Sequence, residues 1–338
     1  MLECDAFPFL WYSEQYWSVR MLRSPKRIPG SVATGHGTEA KQTPRWHTHS
    51  YNRPALYRLV ATCSPWIPRP VRFGLARGVA AVFCRLLWRE YAIARGNILQ
   101  IVPRADAATI ERLTQSLFRH FAYFFTDLLS LNHLEPSRQQ RYVHRIAGEE
   151  HLHAALASPR GFMAATAHVG NWDLAGRLLS TYGRTVHILV APEQEAAIQR
   201  LLRERDCPPN LHFVAHGASG GFVQLLMALR RGDVVAFQAD RVTGHRRDMP
   251  VTFFGMPALF PYGPFALAAA AQVPILPCFC LMRPDRHYDI FVDEAIMVAR
   301  GQEVHALQHM VRVLERYVAM APDQWFNFYD IWHHPIVS

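Results

Sequence analysis

The feature that most constrains the fold of this chain is a long segment without charged residues, between Asp248 and Arg283. By length alone it could form a helix that crosses a bilayer. Prolines interrupt it, and proline breaks a helix because it lacks an N–H donor and clashes with the preceding turn. These prolines are Pro250, Pro257, Pro261, Pro264, Pro274 and Pro277. The segment therefore predicts a strand (Val251 to Phe254), a turn, a helix (Pro264 to Gln272) and a buried strand (Ile275 to Leu281) of a soluble core.

Short apolar strand candidates alternate with helical segments between residues 160 and 295. Further predicted strands are Gly161 to Ala167, Thr185 to Val190, Leu211 to Val214, Val234 to Gln238 and Tyr288 to Val292. The predicted helices between them are Asn171 to Tyr182, Gln194 to Arg205 and Gly220 to Arg231. This alternation predicts an α/β domain over residues 136–338, with helices flanking a largely parallel or mixed sheet. Chemistry is expected in the loops at the carboxyl ends of its strands.

Two helices are predicted before this domain. The first, Pro70 to Asn97, mixes apolar residues with arginines and has no stretch of about twenty uncharged residues that could span a bilayer. It can lie in a membrane interface or pack on the protein's own core, and the sequence leaves both alternatives open. The second, Ala107 to Leu131, has the apolar spacing of a core helix. We predict a helical membrane-associating arm over residues 55–135, and disorder over the polar, Gly- and Pro-dotted residues 1–54.

Composition limits the partners and the compartment. The chain has 338 residues, 50% of them hydrophobic, with a formal net charge of +9 and a pI near 9.5. Such a charge suits nucleic acid or an anionic membrane, but no nucleic-acid-binding signature is present, so we expect no nucleic acid partner. The six cysteines are scattered without a C-x-x-C pair, and no signal peptide is recognisable, which predicts a reducing, cytosolic environment.

The sequence places a histidine and an aspartate five residues apart where chemistry is expected. His168 directly follows a predicted strand, and Asp173 falls on the first turn of the next predicted helix. A carboxylate can orient a histidine so that the ring removes a proton from a hydroxyl group. The same spacing joins His144 to Glu149, but charged neighbours there favour a solvated surface pair. We therefore predict His168 and Asp173 as the catalytic pair.

The segment His168 to Asp173 resembles the H-x4-D/E block of the lysophospholipid acyltransferase superfamily, in particular its lipid A lauroyl/myristoyl acyltransferase branch. Further blocks resemble this branch in the same order, so that the resemblance covers about residues 55–334. These blocks are Tyr57 to Leu59, Arg95 to Asn97, Asp240-Arg241, Val251 to Ala258, Gly263-Pro264, Val273 to Pro277 and Gln324 to Phe326. Several ordered blocks are more specific than one His–Asp pair.

The resemblance implies transfer of a fatty acyl chain from an acyl carrier protein or coenzyme A thioester to a hydroxyl of a lipid or glycolipid, with no other cofactor. We expect no metal, because closely spaced histidines such as His333-His334 have no third ligand at a suitable spacing. It implies His168 as general base and Asp173 as the carboxylate that orients it. Backbone N–H groups around Gly170 to Trp172, and the side chain of Asn171, are candidates to position the substrate or stabilise the oxyanion. The predicted substrate-binding residues are Asp240, Arg241, Arg246, Arg247, Phe253, Phe254, Gly255 and Gly263.

Some of these roles have competing interpretations. Phe253 and Phe254, with Leu259 and Phe260, can line an acyl channel or simply form core. Arg241, Arg246 and Arg247 can grip a phosphate of the acceptor or of the donor's phosphopantetheine arm, or form a solvated basic loop. The chain has Asp240-Arg241 where the lipid A branch often has Asp-Gln, and Asn327-Phe328 ends its Gln-Trp block. These differences bear on the acceptor more than on the reaction.

The expected location is the cytoplasmic face of a bacterial inner membrane, with peripheral or monotopic attachment to anionic lipid. An alternative function is a non-catalytic lipid-binding or scaffold protein that keeps the acyltransferase fold. An esterase using Ser219 is less consistent with the sequence, because Gly217-Ala218-Ser219-Gly220 is one residue short of the G-x-S-x-G spacing.

Overall fold

A computed structural model describes residues 62–63, 66–190, 208–215, 221–242 and 248–332. Several sequence predictions lie outside these ranges and stay untested. They are the disorder of residues 1–54, the helix Gln194 to Arg205, the roles of Arg246 and Arg247, and the esterase alternative at Ser219.

The described part of the chain before the sheet includes three long helices: α1 (Arg69–Leu86), α2 (Trp88–Ile101) and α3 (Ala107–Leu128). The single helix predicted over 70–97 is therefore two helices, separated by Leu87, whose ψ of 57° departs from helical geometry. Helix α3 begins after Asp106, whose carboxylate accepts the N–H of Thr109 at 2.8 Å and caps the helix. None of the described helices is long and apolar enough to cross a membrane.

Helix α1 has one packed face and one exposed face. Phe73, Ala76 and Ala80 are buried, and the ring of Phe73 stacks on Tyr123 of α3 with centroids 4.6 Å apart. The opposite face exposes apolar residues three or four positions apart, which places them in one stripe. This exposed stripe consists of Val71, Leu75, Val79, Val82 and Leu86. Packing on the protein's own core is therefore observed for one face of the helix, while contact of the exposed face with a membrane stays a prediction.

The remaining described helices and strands form the α/β part of the chain. They are α4 (Pro136–Gln140), β1 (Val143–Ala147), α5 (Glu149–Ala157), β2 (Phe162–Thr166), α6 (Trp172–Leu179), β3 (Val186–Val190), β4 (Leu211–Ala215), α7 (Gly221–Arg231), β5 (Val234–Gln238), β6 (Asp248–Phe253), β7 (Met256–Pro261), α8 (Gly263–Ala271), β8 (Ile275–Met282), β9 (Tyr288–Val292) and α9 (Glu303–Met320).

Seven of these strands form one mixed sheet in the order β1-β9-β8-β2-β5-β3-β4. Every pairing is parallel except β8 with β9, which is antiparallel. Strand β2 lies at the centre, and its alternate residues enter two cores on opposite faces. Met163 and Ala165 face one core, whereas Phe162 and Ala164 face the other. The predicted α/β class is confirmed, and helices cover both faces of the sheet.

Strand β7 was predicted as a turn, and this prediction was wrong. Pro257 and Pro261 suggested a break, but β6 and β7 pair only with each other, and a strand with one unpaired edge tolerates proline. Their two-residue turn holds Phe254 at φ 48° and Gly255 at φ 77°, the left-handed conformations that tight hairpins require. The Phe254 carbonyl accepts a hydrogen bond from Gln100 Nε2 at 2.9 Å, and the Phe254 backbone N–H donates to the Glu315 carboxylate. These two hydrogen bonds fix the turn.

A buried charge cluster joins the helices α1 and α3 to the sheet. The Asp127 carboxylate accepts two hydrogen bonds from Arg69, from Nε at 3.0 Å and from Nη2 at 2.6 Å. It also accepts the hydroxyl of Tyr288 on β9 at 2.6 Å. Asp127 is fully buried, so these donors replace the water that would otherwise solvate its charge. Arg69 therefore anchors α1 to the protein.

We predict that Asp127→Ala lowers the free energy of unfolding by about 3–5 kcal/mol, because it leaves the Arg69 charge without its buried partner. Asp285→Ala is the matched control, since Asp285 pairs with Arg283 at 3.4 Å on an exposed turn and its removal should leave stability close to wild type. Urea unfolding followed by circular dichroism measures both variants. Equal losses would show that the Asp127 cluster does not anchor the helices.

Candidate active site

The loop after β2 presents His168 and is held by its backbone on two sides. The His168 carbonyl accepts the N–H of Phe326 at 2.8 Å, and the Gly170 N–H donates to the Gln324 carbonyl at 2.9 Å. On the other side the Asn171 N–H donates to the Cys280 carbonyl of β8 at 2.8 Å. The loop is therefore fixed between β8 and a C-terminal segment, residues 324–329, which we call the C-terminal block.

Gly170 lets the loop approach β8 closely. It lies at φ 60°, and a Cβ atom added there would meet the Cys280 carbonyl oxygen at 2.0 Å. Any larger residue would push the loop away from the sheet and displace His168.

The carboxylate that hydrogen-bonds His168 is Asp240. Its Oδ1 lies 2.8 Å from His168 Nδ1, and its Oδ2 accepts the His168 backbone N–H at 3.1 Å. The indole of Trp325 donates to the same Oδ2 at 3.0 Å, and the Tyr329 hydroxyl donates to the Asp240 carbonyl at 2.6 Å. Asp240, predicted as a substrate-binding residue, is 1% exposed and faces His168 instead.

Asp173 occupies a different position from the one predicted. Its Oδ2 accepts Asn132 Nδ2 and Arg177 Nε, each at 2.9 Å, and Arg177 is itself buried. Asn132 also exchanges two amide hydrogen bonds with Asn171, at 2.9 and 3.0 Å. The structure thus brings His168 together with Asp240, while Asp173 belongs to a neighbouring network that holds the start of α6.

Burial and charge set the protonation of the pair. Burial lowers the pKa of His168 below its usual value, Asp240 opposes this shift, and Arg241 adds to it. Burial alone would raise the pKa of Asp240, but the charge and hydrogen bond of His168, together with Arg241 and Trp325, hold it well below its usual range. Near neutral pH Asp240 is ionised and His168 is neutral, so the Nδ1–H donates to Asp240 and Nε2 carries the lone pair of the imidazole.

Arg241 is directed toward the C-terminal block. Its Nη1 donates to Asn327 Oδ1 and its Nη2 to the Phe326 carbonyl, both at 2.9 Å. The guanidinium also lies over the ring of Tyr329, 4.6 Å from the centroid. Its Nε is 3.3 Å from His168 Nδ1, where a donor faces a donor, so this contact acts on His168 through charge rather than as a hydrogen bond.

Two of the three residues predicted to stabilise the oxyanion already use their backbone N–H groups in other hydrogen bonds. The N–H groups of Gly170 and Asn171 donate to the Gln324 and Cys280 carbonyls, and the Asn171 amide bonds Asn132 and caps α6 through the Leu174 N–H. Both residues therefore position the loop. Trp172 is the first residue of α6, where the backbone N–H has no partner within the helix.

The aromatic residues predicted to line an acyl channel divide into two groups. Phe253 and Phe260 are fully buried, with ring centroids 5.3 Å apart, which matches the core interpretation. Phe254 and Gly255 form the β6–β7 turn and are more exposed, as is Gly263 at the start of α8. The rings of Phe253 and Trp325 also pack together, with centroids 5.5 Å apart, so this core supports the indole that donates to Asp240.

The C-terminal block supplies contacts that the sequence prediction did not assign. The Gln324 side chain bonds both the N–H and the carbonyl of Met282, each at 2.8 Å, and so fixes the block to β8. Trp325, Asn327 and Tyr329 then hold Asp240 and Arg241 as described above. The Gln-Trp motif was recognised in the sequence, but which residues it contacts depends on tertiary structure.

Within the described residues, no group of three or more His, Cys, Asp or Glu side chains is arranged to hold a metal ion. Burial raises the pKa of the Cys278 thiol to about 12 and that of Cys280 still higher, so both stay protonated. They behave as small apolar core residues of β8.

Comparison with known proteins assigns the family. The model of the family described as "Bacterial lipid A biosynthesis acyltransferase" matches residues 40–334, most of the chain. The chain belongs to this family. It is an acyltransferase of lipid or glycolipid biosynthesis, and His168, Asp240 and the C-terminal block all lie inside the matched region.

Relatives with curated names agree with this assignment. A phosphatidylinositol mannoside acyltransferase of Mycobacterium tuberculosis is 28% identical over 246 residues, covering 70% of this chain and 76% of the relative. One from Mycolicibacterium smegmatis is 24% identical over 243 residues, covering 70% and 78%. The crystal structure of the 1-acyl-sn-glycerophosphate acyltransferase PlsC from Thermotoga maritima aligns at 15% identity with a TM-score of 0.32, covering 73% of this chain and 98% of that one.

The charge of Arg241 should set the pH profile of this acyltransferase. With His168 as the predicted general base, we expect the neutral imidazole to be the active form, so kcat/KM should fall as pH drops through the His168 pKa, which lies below histidine's usual value of about 6.5. Arg241→Gln removes a charge that lowers this pKa, and the acidic limb should move to higher pH. Arg241→Lys loses the same bidentate contacts but keeps the charge, so its limb should stay near that of wild type. Identical profiles for both variants would contradict this electrostatic role.

Proposed function

We propose that this acyltransferase moves a fatty acyl chain from an acyl carrier protein or coenzyme A thioester to a hydroxyl of a glycolipid, with His168 as general base and Asp240 as the residue that orients it. One observation carries the proposal: the 2.8 Å contact between His168 Nδ1 and the ionised Asp240 carboxylate. That contact fixes the tautomer and leaves Nε2 as a proton acceptor. The scaffold alternative has no comparable support, because a non-catalytic protein needs no such tautomer.

The reaction follows from this tautomer. Nε2 removes the proton of the acceptor hydroxyl as its oxygen forms a bond to the thioester carbonyl carbon, which produces a tetrahedral oxyanion. The intermediate collapses, the carbon–sulfur bond breaks, and the imidazolium returns its proton to the departing thiolate. Asp240 stabilises the transient imidazolium and stays ionised throughout, because its pKa lies far below neutrality.

The oxyanion needs donors that are not already engaged. We assign the backbone N–H of Trp172, at the positive end of the α6 dipole, as one donor. Aromatic rings surround this position: the Trp172 indole lies 4.9 Å from the His168 ring and stacks on Phe124 at 4.3 Å. His168 beside these rings is only 8% exposed, and electrostatic interactions are stronger where water is largely excluded.

A glycolipid acceptor agrees with the names of the relatives, which acylate phosphatidylinositol mannosides, and with the lipid A function of the family. The sugar hydroxyl is therefore the group we assign to His168. Arg241 contributes by lowering the pKa of His168. The phosphate contact predicted for Arg246 and Arg247 lies outside the described residues.

We also propose that the enzyme works at the cytoplasmic face of an anionic inner membrane and attaches through the exposed stripe of α1. The five apolar residues of this stripe are between 39% and 61% exposed, and Trp66 and Trp88 near the ends of the helix are 87% and 66% exposed. Exposed apolar residues in one stripe favour insertion into the acyl region of a bilayer, and tryptophan prefers its interface. The net charge of +9 adds attraction to anionic lipid.

Substitution of the two aspartates separates the proposed mechanism from the one predicted from the sequence. His168→Ala should lower kcat by at least about a thousandfold, and Asp240→Asn by at least about a hundredfold, because the tautomer and the imidazolium lose their support. Asp173→Asn should cost less, since the amide oxygen of the new side chain can still accept from Asn132 and Arg177. The assay follows a radiolabelled acyl chain from thioester to glycolipid, with folding checked by circular dichroism.

Three results would contradict the proposal. Wild-type activity in His168→Ala would remove the general base. A larger loss in Asp173→Asn than in Asp240→Asn would return the orienting role to Asp173. An unchanged lipid profile in a deletion strain, by mass spectrometry, would contradict the acceptor class, which predicts a species lacking one acyl chain.

The membrane prediction compares two apolar surfaces. Leu75→Gln with Val82→Gln should reduce binding to anionic vesicles by roughly a hundredfold, because each buried aliphatic side chain contributes about 1.5–3 kcal/mol. Phe222→Gln with Val223→Gln is the matched control, since these residues of α7 are also exposed, at 49% and 61%. Flotation of the full chain with vesicles measures both. A larger loss in the control would place the contact surface on α7.

A further inference from the structure

Helix α2 contributes one buried amide to the segment that surrounds His168 and Asp240. Asn97 is 4% exposed, and its Nδ2 donates to two backbone carbonyls of the C-terminal block, to that of Asn327 at 3.1 Å and to that of Tyr329 at 3.0 Å. Both acceptors are more than two hundred residues away in the chain, at separations of 230 and 232. One side chain of α2 therefore fixes the backbone of the C-terminal block at two points.

The residues fixed in this way are those that hold the guanidinium of Arg241. Its Nη1 donates to the side chain of Asn327 and its Nη2 to the Phe326 carbonyl, both at 2.9 Å. The ring of Tyr329 lies against it, 4.6 Å from the centroid. Asn97 thus holds two of these three residues directly, and the third, Phe326, immediately precedes Asn327.

The side chain of Asn327 depends on this support. Its Oδ1 accepts Nη1 of Arg241, whereas its Nδ2 is buried and has no hydrogen-bond partner among the described residues. A buried donor without a partner is unfavourable. A shift of Asn327 that paired this Nδ2 would take Oδ1 away from Arg241, and the bond from Asn97 to the Asn327 carbonyl opposes such a shift.

Arg241 in this position acts on His168 through its charge, with Nε 3.3 Å from His168 Nδ1. Among the described residues, the charges that act on the imidazole are those of Asp240 and Arg241, both just after β5. The groups that face His168 from α6 and from the C-terminal block carry no charge: they are the Trp172 ring, 4.9 Å away, and the Phe326 N–H. Because Asp240 raises the pKa of His168 and Arg241 lowers it, displacing one or the other shifts the pKa in opposite directions.

We propose that Asn97 is a positioning residue of this acyltransferase, which fixes the C-terminal block and thereby holds the charge of Arg241 beside His168. The inference deepens the proposed function and rests on it, since the charge affects the reaction only if His168 takes up a proton. Asn97 acts through the block rather than on the substrate. Helix α2, which precedes the sheet, thus takes part in tuning the general base.

The test is the titration of the His168 ring, followed by NMR in the full chain with ¹³C-labelled histidine and assigned with His168→Ala. Asn97→Ala removes both hydrogen bonds to the block and releases the Arg241 charge, so the His168 midpoint should rise by about 0.5 pH unit or more. The acidic limb of kcat/KM should move with it. Asn97→Ser keeps one hydroxyl donor in a smaller side chain, should shift the midpoint less, and answers the question alone if Asn97→Ala fails to fold.

The same substitution in an Arg241→Gln background isolates the contribution of Arg241. Arg241→Gln alone should raise the His168 midpoint, and Asn97→Ala should add nothing to this rise, because the charge that it displaces is already absent. An equal further rise in this background would assign the effect to water entering the site and would overturn the proposal. A fall of the midpoint in the wild-type background would mean that Asp240 had moved instead, and it would overturn the proposal as well.

Gln100→Ala is the matched control, because Gln100 lies one turn later on α2 and also donates to a backbone carbonyl. That carbonyl belongs to Phe254, in the β6–β7 turn, so the His168 midpoint should stay at its wild-type value. A rise equal to that of Asn97→Ala would reduce the effect to a general loosening of α2, and an unchanged midpoint in both Asn97 variants would refute the positioning role. Since the titration needs no turnover, acyl transfer retained by His168→Ala would contradict the proposed function without altering this result.

Discussion

The hydrogen bond between neutral His168 and the ionised, buried Asp240 requires an environment that the rest of the chain must provide. A fully buried carboxylate is costly unless hydrogen bonds replace its hydration. The Asp240 carboxylate accepts hydrogen bonds from the His168 imidazole, the His168 backbone N–H and the Trp325 indole, and these contacts keep it ionised. The C-terminal block is therefore a structural requirement of the pair, although it is far from both residues in sequence.

The register of two strands explains why Asp240 is the partner. Strands β2 and β5 are parallel neighbours, with Thr166 opposite Gln238. His168 lies two residues after the end of β2, and Asp240 lies two residues after the end of β5. Because the register continues beyond the strands, with the Ala239 N–H donating to the Thr166 carbonyl at 2.7 Å, the two side chains lie next to each other.

Sequence patterns predicted the features that depend on local structure. His168 could be recognised because an apolar strand, a glycine and a helix start surround it, and strands β5 and β9 were predicted with their observed bounds. Strand order is not local, so the neighbouring Asp173 was chosen instead of Asp240, which is 72 residues away. The available signal was that His168 lies one residue after its predicted strand and Asp240 two residues after its own. Strand β1 was missed because its five residues, with exposed His144 and Arg145, lack a continuous apolar pattern.

The proposed membrane attachment would place two opposed demands on helix α1. A helix that only inserted into lipid could detach from the catalytic domain, while a helix that only packed on the core would offer no attachment surface. Arg69 resolves this conflict, since its bidentate bond to Asp127 fixes one end of α1 next to β9, and Phe73 stacks on α3. Because Tyr288 shares Asp127 and also lines a small cavity beside Asn171, a force on α1 at a membrane surface would reach the catalytic loop through buried contacts. Rigid attachment of this kind would hold His168 at a constant height above the bilayer, where a lipid hydroxyl must arrive.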